Sequence, residues 1–370
     1  MGWRITGEQL AHIGLGANLL SSGGGGDTYT FQALALSVID HQRGIEVISF
    51  GELGAEDYVV IIGATGSAAL CEEMIPSGQE VITALRAYEE RLGRRATAVM
   101  PLNIGGANAL IPLILAAQCG LPVVDGDGMS RTFPELHMSS LHLAGVQGNS
   151  LAMTSVSGET VYLAEPDNIL LSQLVMQTTQ DMGGVAYFAG LGVSGQALST
   201  AIIPNTLSTS CELGRIAHEA NDVPQCLSDF HACFSNSIYG RPQVLIRGKI
   251  YGVLRQFVDG LVEGSFHIAG TGRYEGAALE IRYKNEYLSA RRGDSYVCLT
   301  PDLLLVLDEE RLSPCMVDEI EEGITVTVMG IPAPNVLRTG ELLSYIGPEA
   351  SGIMEPYTPV ELLAGKGWLE

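Results

Sequence analysis

The sequence is poor in aromatic and in basic residues. Aromatic residues make up 6% of the 370 residues, and 20 Lys and Arg side chains stand against 42 Asp and Glu side chains, for a formal net charge of −22. Proteins that bind phosphate backbones or anionic membranes need a basic surface. The composition therefore argues against nucleic acid and membranes as partners, while a small ligand held by local main-chain dipoles stays open.

The chain also lacks a disulfide framework and a long apolar run. Its 7 cysteines are scattered without a CxxC pair, so we expect mostly reduced, buried thiols. The longest apolar stretch, residues 109–119, is too short to cross a bilayer, and no signal peptide is visible. We expect a cytoplasmic protein, and base rates for such chains favour a homo-oligomer such as a dimer.

Hydrophobic patterning predicts an α/β domain over residues 1–165. Apolar strands at residues 58–62, 96–104 and 121–124 each run into a glycine-containing loop, and helical segments lie between them. Strands that are apolar on both faces are typical of a parallel sheet with helices on both faces.

The predicted secondary structure is different in residues 166–370. A mainly helical connecting segment is predicted from residue 168 to about residue 221, with breaks at Gly183-Gly184, around residues 190–195 and at Pro204. From residue 243 onward the pattern predicts strands, and therefore a C-terminal domain that is mostly β.

The predicted parallel sheet indicates where a ligand would bind. Ligands of open α/β sheets bind beyond the carboxyl ends of the strands. This rule brings the loops at residues 63–67, 103–108 and 125–137 to one edge, and the four-glycine loop at residues 23–26 can join them.

The loop at residues 125–137 contains the largest group of candidate catalytic and metal-ligating side chains. Asp125 and Asp127 are two residues apart, as are Glu135 and His137, and Arg131 lies between the pairs. Carboxylates with an imidazole suit zinc, manganese or iron(II), and a guanidinium can clamp a carboxylate. Asp-Gly-Asp-Gly is also a common turn sequence, so a purely structural role is the alternative.

Two glycine loops, at residues 23–26 and at residues 105–106, offer main-chain N–H groups to a ligand at the start of a helix. Tight bends and close packing without a Cβ are the alternative for both loops. The amides of Asn103 and Asn108 flank the second loop. The candidate ligand-binding residues are Gly24, Gly25, Gly26, Asp27, Gly105, Gly106, Asn108 and Arg131.

Taken together, these motifs resemble a known family. The resemblance covers most of the chain and rests on these segments: Gly23-Gly24-Gly25-Gly26-Asp27, Gly105-Gly106-Ala107-Asn108-Ala109, Asp125-Gly126-Asp127-Gly128-Met129 through Phe133-Pro134-Glu135-Leu136, Leu299-Thr300-Pro301-Asp302-Leu303, and Pro332-Ala333-Pro334 with Gly347-Pro348. The family is named after S-methyl thiohydantoin desulfurase and was long known as a domain of unknown function near hydantoinase and oxoprolinase genes.

The resemblance implies an N-terminal α/β domain, a C-terminal mostly β domain, and hydrolysis of a thiohydantoin-like or hydantoin-like cyclic amide with help from a divalent metal, zinc being favoured. Under this hypothesis the catalytic residues are Asp125, Asp127, Glu135 and Arg131, and the metal ligands are Asp125, Asp127 and His137.

Three positions depart from the family pattern. The family usually has an acid at the position of Asn103, Gln at that of His137, and Pro-Thr after the glycine of the first strand–loop unit, where this chain has Thr65-Gly66-Ser67. The missing acid at Asn103 favours a second hypothesis, in which the protein is a non-catalytic accessory or ligand-binding partner of a hydantoinase-type enzyme.

Overall fold

The computed structural model describes residues 2–26, 28–40, 42–146, 150–258 and 261–363. In chain order the strands are β1 (Trp3–Ile5), β2 (Ile45–Ile48), β3 (Tyr58–Gly66), β4 (Ala98–Pro101), β5 (Val123–Val124), β6 (Gly126–Asp127), β7 (Ser150–Ser155), β8 (Thr160–Ala164), β9 (Val185–Ser194), β10 (Ile203–Pro204), β11 (Gln243–Val258), β12 (Leu261–Gly270), β13 (Ala278–Lys284), β14 (Glu286–Arg292), β15 (Ser295–Leu299), β16 (Leu303–Asp308), β17 (Ser313–Pro314) and β18 (Thr325–Ile331).

The helices are α1 (Gly7–Leu20), α2 (Tyr29–Val38), α3 (Ala68–Glu73), α4 (Gln79–Leu92), α5 (Ile111–Cys119), α6 (Ser140–Leu143), α7 (Asn168–Asp181), α8 (Gly195–Leu198), α9 (Thr206–Glu219), α10 (Val223–Ser235), α11 (Gly340–Ile346) and α12 (Val360–Leu363). Short 3-10 turns lie at Phe50–Glu52, Gly106–Ala109, Gly272–Tyr274, Asn335–Arg338 and Glu349–Ser351. No helix in these described ranges is both long enough and apolar enough to cross a bilayer.

Local sequence signals set the helix ends. At the start of α1, Gln9 Oε1 accepts a hydrogen bond from the main-chain N–H of Thr6 at 2.9 Å, which closes a capping box. Gly120 ends α5 in the left-handed conformation, with a φ of +70°, and its N–H donates to Ala116 O.

The first sheet is mixed. Within the described residues it has eight strands in the order β1-β2-β5-β4-β3-β9-β7-β8. Strands β2, β5, β4 and β3 run parallel, and β1, β9, β7 and β8 add antiparallel pairings at the two sides. The predicted α/β domain is confirmed, and the parallel strands form its centre.

Strand β9 lies inside the segment that the sequence pattern predicts as mainly helical, so that prediction was wrong for residues 185–194. Its glycines look like helix breaks, but they serve close strand packing. A Cβ at Gly190 would overlap Leu151, and a Cβ at Gly192 would overlap the Tyr58 hydroxyl. The segment therefore pairs with β3 and β7 as a buried strand.

The second sheet confirms the predicted C-terminal β domain. In the described part of the chain it has eight strands in the order β15-β14-β13-β12-β11-β18-β16-β17, and its pairs are antiparallel. Strand β16 is buried on both faces. Leu303 and Leu305 pack in the core of the first sheet, whereas Leu304 and Val306 pack in the core of the second.

Candidate functional site

A pocket lies beyond the carboxyl ends of β3 and β4. About 950 Å³ of space, part of it open to solvent, is lined by the ends of these strands, the glycine loop with the start of α2, the loop at residues 132–136 and one face of α7. Single residues of α3, β9 and the turn between β13 and β14, and two residues of the turn before α5, complete the described lining. The loops that the sheet rule gathers at one edge thus meet here, together with the four-glycine loop.

The pocket wall combines apolar and neutral polar side chains. Its larger apolar members are Phe31, Leu102, Phe133, Val175, Met176 and Phe188. Its polar members are Thr30, Thr65, Asn103, Asn108, Thr132, Ser172 and Asn285, with Cys71 beside them. Among the described residues, no carboxylate, imidazole, guanidinium or amine lines the pocket. The described part of the lining therefore offers a charged ligand no counter-charge.

Two lining residues carry buried polar atoms that have no partner in the described structure, Asn103 Oδ1 and Thr132 Oγ1. Asn103 is 3% exposed and Thr132 is 5% exposed. An unpaired buried polar atom costs about 1–3 kcal/mol, and both of these atoms have almost no exposed surface in this structure.

Asn108 differs from Asn103 although both flank the same glycines. Its Oδ1 accepts from the main-chain N–H of Ala64 at 2.7 Å, and its Nδ2 donates to Ala64 O at 3.3 Å. Both ends of this carboxamide are therefore used to fasten the end of β3 to the loop before α5.

The predicted ligand-binding glycines divide into two groups. Gly25 and Gly26 line the pocket, whereas Gly24, Gly105 and Gly106 do not. A Cβ on Gly25 would lie 2.8 Å from both Gly105 O and Thr132 Oγ1, and a Cβ on Gly106 would overlap the main chain of Gly25. Close main-chain packing thus demands glycine here. Asp27, the remaining residue of this prediction, lies outside the described residues.

Asp125 and Asp127 do not line the pocket, and both carboxylates bind main-chain N–H groups. Asp125 Oδ1 accepts from Ser208 N at 3.0 Å, in the first turn of α9. Asp127 Oδ2 accepts from the N–H groups of Ile104, Met129 and Ser130 at 2.8, 3.2 and 2.7 Å. Burial raises the pKa of Asp125, and it raises the pKa of Asp127 to about 7. Asp127 thereby holds together the two loops that carry Asn103 and Thr132.

Arg131 is fully buried and points away from the pocket. Its Nη1 donates to Pro301 O at 3.2 Å and Asp302 O at 3.1 Å, and its Nη2 donates to Tyr287 O at 3.1 Å. Its Nε donates to Thr132 O at 3.3 Å, and burial lowers its pKa. The guanidinium therefore joins the first sheet's loop to carbonyls of the second sheet's domain.

Glu135 and His137 lie next to the pocket and face a different cluster. His137 Nδ1 is 3.6 Å from Glu135 Oε2, and Ser172 Oγ donates to the same oxygen at 3.4 Å. The His137 ring contacts the rings of His142 and Tyr345. Burial lowers the pKa of His137, which favours the neutral imidazole.

The residues predicted to hold a metal do not fit one in this arrangement. Within the described ranges, no group of three or more His, Cys, Asp or Glu side chains could hold a metal ion. Asp125 Oδ1 and Asp127 Oδ2 accept hydrogen bonds from main-chain N–H groups, whereas Asp127 Oδ1 has no partner among the described residues. A metal at Asp125, Asp127 and His137 stays a prediction.

The sequence pattern missed part of the pocket wall. Asn285, at the turn between β13 and β14, reaches the pocket from the second sheet's domain, and Met176 and Phe188 come from the segment after residue 166. Asn285 has a φ of +62°, but nothing in the sequence around it indicates which surface it meets. Only a signal from long-range contacts could have found these residues.

Comparisons with known proteins cover nearly the whole chain. The family model described as "S-Me-THD-like, N-terminal domain" matches residues 8–165, and the one described as "S-Me-THD-like, C-terminal domain" matches residues 166–360. A crystal structure of a protein from Chromobacterium violaceum, a Northeast Structural Genomics Consortium target, has a TM-score of 0.80 at 21% identity. The match covers 97% of this chain and 100% of that one, and it supports the fold alone. No curated protein matches the chain.

Proposed function

The chain belongs to the S-Me-THD-like family, and from this premise we propose that it binds and hydrolyses a small, uncharged cyclic amide or thioamide of the hydantoin or thiohydantoin type. One observation carries the proposal. The segments that carry the family resemblance, the glycine loop, the Asn103–Asn108 loop and the loop after Arg131, contribute to a single pocket with two unpartnered polar atoms.

The chemistry of the wall supports a neutral, flat ligand. Phe31, Phe133 and Phe188 offer ring surfaces, and the described lining has no charged side chain. A five-membered cyclic amide has apolar faces and a polar edge of N–H and C=O or C=S groups. Its faces suit the aromatic wall, and its edge suits the neutral polar side chains of the lining.

Hydrolysis of such a ring adds one water. The water oxygen bonds to the carbonyl or thiocarbonyl carbon, the ring C–N bond breaks, and the nitrogen takes the proton. The product is an open chain that ends in an acid or thioacid. A carboxylate product would be held poorly in a neutral pocket, and this favours product release.

A non-catalytic binding role is the second candidate. It is favoured by the absence of a carboxylate or imidazole from the described lining, because activation of water at neutral pH usually needs a general base. In this case the protein would hold the ring for a hydantoinase-type enzyme without turning it over.

Calorimetric titration with hydantoin and 2-thiohydantoin, followed by chromatographic detection of ring opening, separates the two candidates. The turnover assay is run with added zinc and with a chelator. Binding with ring opening supports the hydrolase, whereas binding without ring opening in either condition supports the accessory role. Absence of binding to both compounds overturns both candidates.

A matched pair of variants on α7 assigns any binding to this pocket. Met176 lines the pocket and Leu174 does not, and both are partly exposed, at 37% and 38%. Met176→Trp should weaken binding by narrowing the pocket, while Leu174→Trp should leave it unchanged.

The metal prediction has its own test. Metal content is measured in the purified wild type and in the Asp125→Asn/Asp127→Asn variant. Stoichiometric zinc that is lost in a folded variant supports the predicted ligands, and zinc that is retained places the metal at other residues.

A further inference from the structure

Strand β8 is an open edge of the first sheet. Within the described residues it pairs with β7 alone and stands last in the strand order of that sheet. Its sequence, Thr-Val-Tyr-Leu-Ala, contains no charged residue and no proline. Folded proteins usually protect an exposed edge with such residues, so an edge without them is a place where another strand can pair.

The hairpin shows which main-chain groups of β8 are available. Ser155 N donates to Glu159 O at 2.9 Å, at the start of the ladder with β7. In an antiparallel ladder, successive residues turn their N–H and C=O groups alternately to the two sides. The main-chain groups of Thr160, Tyr162 and Ala164 therefore point to the open side.

One apolar side chain of β8 extends the side of the sheet on which α7 lies. Arg91 of α4 lies over the Tyr162 ring, 5.5 Å from its centroid, so Tyr162 faces α4. Val161 faces the other side, because it is opposite Met153, which is opposite Phe188 in the pocket wall beside α7. Val161 is 37% exposed there.

Helix α7 has two different flanks. Ser172, Val175 and Met176 line the pocket. Leu170 and Leu174, one turn apart, lie on the opposite flank and are 43% and 38% exposed. Helix α7 has one charged residue in 14, whereas α4, of the same length, has five. Depletion of charge is typical of the centre of a protein–protein interface.

Two observations favour a second copy of the chain as the partner. The chain has a net charge of −22, so an uncharged surface is where two copies meet with the least repulsion. The strand is also self-complementary, because an antiparallel pair centred on Tyr162 brings no charges together within it. The pairs formed are Val161 with Leu163 of the second copy and Thr160 with Ala164 of the second copy.

We propose that the protein forms a two-fold symmetric dimer in which β8 of one copy pairs with β8 of the other. The Leu170–Leu174 flanks of the two α7 helices pack together beside the joined strands, and the two first sheets become one continuous sheet. The pockets lie on the far flanks of the two helices and stay open. This inference is independent of the proposed function and goes beyond it.

The mass of the purified chain in solution tests the proposal. Light scattering after size exclusion and sedimentation equilibrium should show a dimer, and a chain that stays monomeric at every concentration overturns the proposal. The dimer should tighten with salt, which screens the repulsion between Glu159 and Glu165 of the second copy at the ends of the paired strands. A dimer that salt weakens is held by ion pairs elsewhere and overturns the proposal as well.

Matched lysine variants locate the contact. Val161→Lys and Leu174→Lys should each raise the dimer dissociation constant about a hundredfold, because every dimer buries the new charge twice. Leu36→Lys is the control, since Leu36 is as exposed as Leu174 but belongs to α2. All three variants lower the net negative charge, so general repulsion does not explain a loss confined to the first two. A dimer that survives both of these changes, or that Leu36→Lys weakens equally, contradicts the proposed contact.

Ala164→Pro separates strand pairing from helix packing. Proline removes the N–H that points to the open side and leaves the ladder with β7 intact, so the dimer should weaken about tenfold. Ala164→Val keeps this N–H and should keep the dimer. Circular dichroism and thermal unfolding show that each variant is folded. Equal dimerisation of a folded Ala164→Pro and of Ala164→Val overturns the pairing of the two β8 strands.

Discussion

Residues 125–131 and the pocket wall differ in what their buried polar atoms bind. In the first region, Asp125, Asp127 and Arg131 bind main-chain groups, although Asp127 Oδ1 and the Ser130 hydroxyl have no partner among the described residues. In the second, Asn103 Oδ1 and Thr132 Oγ1 have no partner among the described residues. Both regions are buried and both belong to loops at the same end of the sheet, so burial alone does not distinguish them.

Chemically rich motifs can therefore serve the fold while plainer residues line the pocket. A carboxylate that accepts three main-chain N–H groups stabilises a loop conformation, and a guanidinium that donates to three carbonyls joins two domains. A buried polar atom without a hydrogen-bond partner lowers the free energy of unfolding. Four predictions test this division, beginning with the largest expected effect.

Arg131→Met should destabilise the protein most. The change leaves the carbonyls of Tyr287, Pro301 and Asp302 without their buried donor, and we expect a loss of about 4 kcal/mol or more. Thermal unfolding and soluble yield measure it, with Arg282→Met on the exposed side of β13 as the control. Near-normal stability of Arg131→Met would contradict its role between the domains.

Asn108→Leu should cost about 2 kcal/mol, because it removes two hydrogen bonds to Ala64 and leaves that main chain unpaired. Asn103→Leu is the matched change at the unpaired carboxamide and should cost nothing. Urea unfolding of both variants compares them directly. Equal losses at the two positions would remove the distinction between the paired carboxamide of Asn108 and the unpaired carboxamide oxygen of Asn103.

Glu286→Gln should change how stability depends on pH by about 1–2 kcal/mol. Burial raises the pKa of Glu286 from an ordinary 4.5 to about 7, against the lowering effect of Arg131. The folded wild type therefore holds a proton that the unfolded chain releases, and this group's contribution to stability declines as pH rises from about 4.5 to about 7.

Urea unfolding at pH 5 and pH 8 checks the sign. The free energy of unfolding of Glu286→Gln minus that of the wild type should be larger at pH 8 than at pH 5, because Gln has no proton to lose. The difference isolates Glu286 from Asp127, whose pKa is raised in the same direction. A difference that does not vary with pH would show that Glu286 is ionised throughout.

Thr132→Val should have the smallest effect on stability, between zero and a gain of about 1 kcal/mol. Val has the same shape and removes the unpartnered hydroxyl, and the methyl group of Thr132 stays against Gly24. Thermal unfolding of the purified variant measures the change. A clear loss of stability would mean that the hydroxyl has a structural partner.

Much of the fold could be predicted because its signals are local. The capping box at Thr6 and Gln9, the apolar strand at Tyr58 and the glycine after Cys119 each act within a few residues. Strand β9 could not be predicted in the same way. Its glycines are explained by Leu151 and Tyr58, which lie in other strands.

The sequence predicted where the candidate site lies but not what each of its side chains does. The carboxyl ends of parallel strands meet at one edge whatever their side chains are, so the loops after β3 and β4 had to converge. Which side chains face the resulting pocket depends on distant partners. Arg131 binds Tyr287 O across 156 positions of the chain, and Asp127 binds Ile104 N across 23.

The sequence by itself determined the α/β and β domains, the family and the edge of the sheet where the loops gather, because periodicity, caps and glycine turns operate over short distances. Only the tertiary structure decided that Asp125, Asp127 and Arg131 form hydrogen bonds with main-chain groups. It also decided that Asn103 Oδ1 and Thr132 Oγ1 have no hydrogen-bond partner among the described residues. The physical reason is that a buried polar atom is satisfied or left unpaired by groups that only folding brings near it.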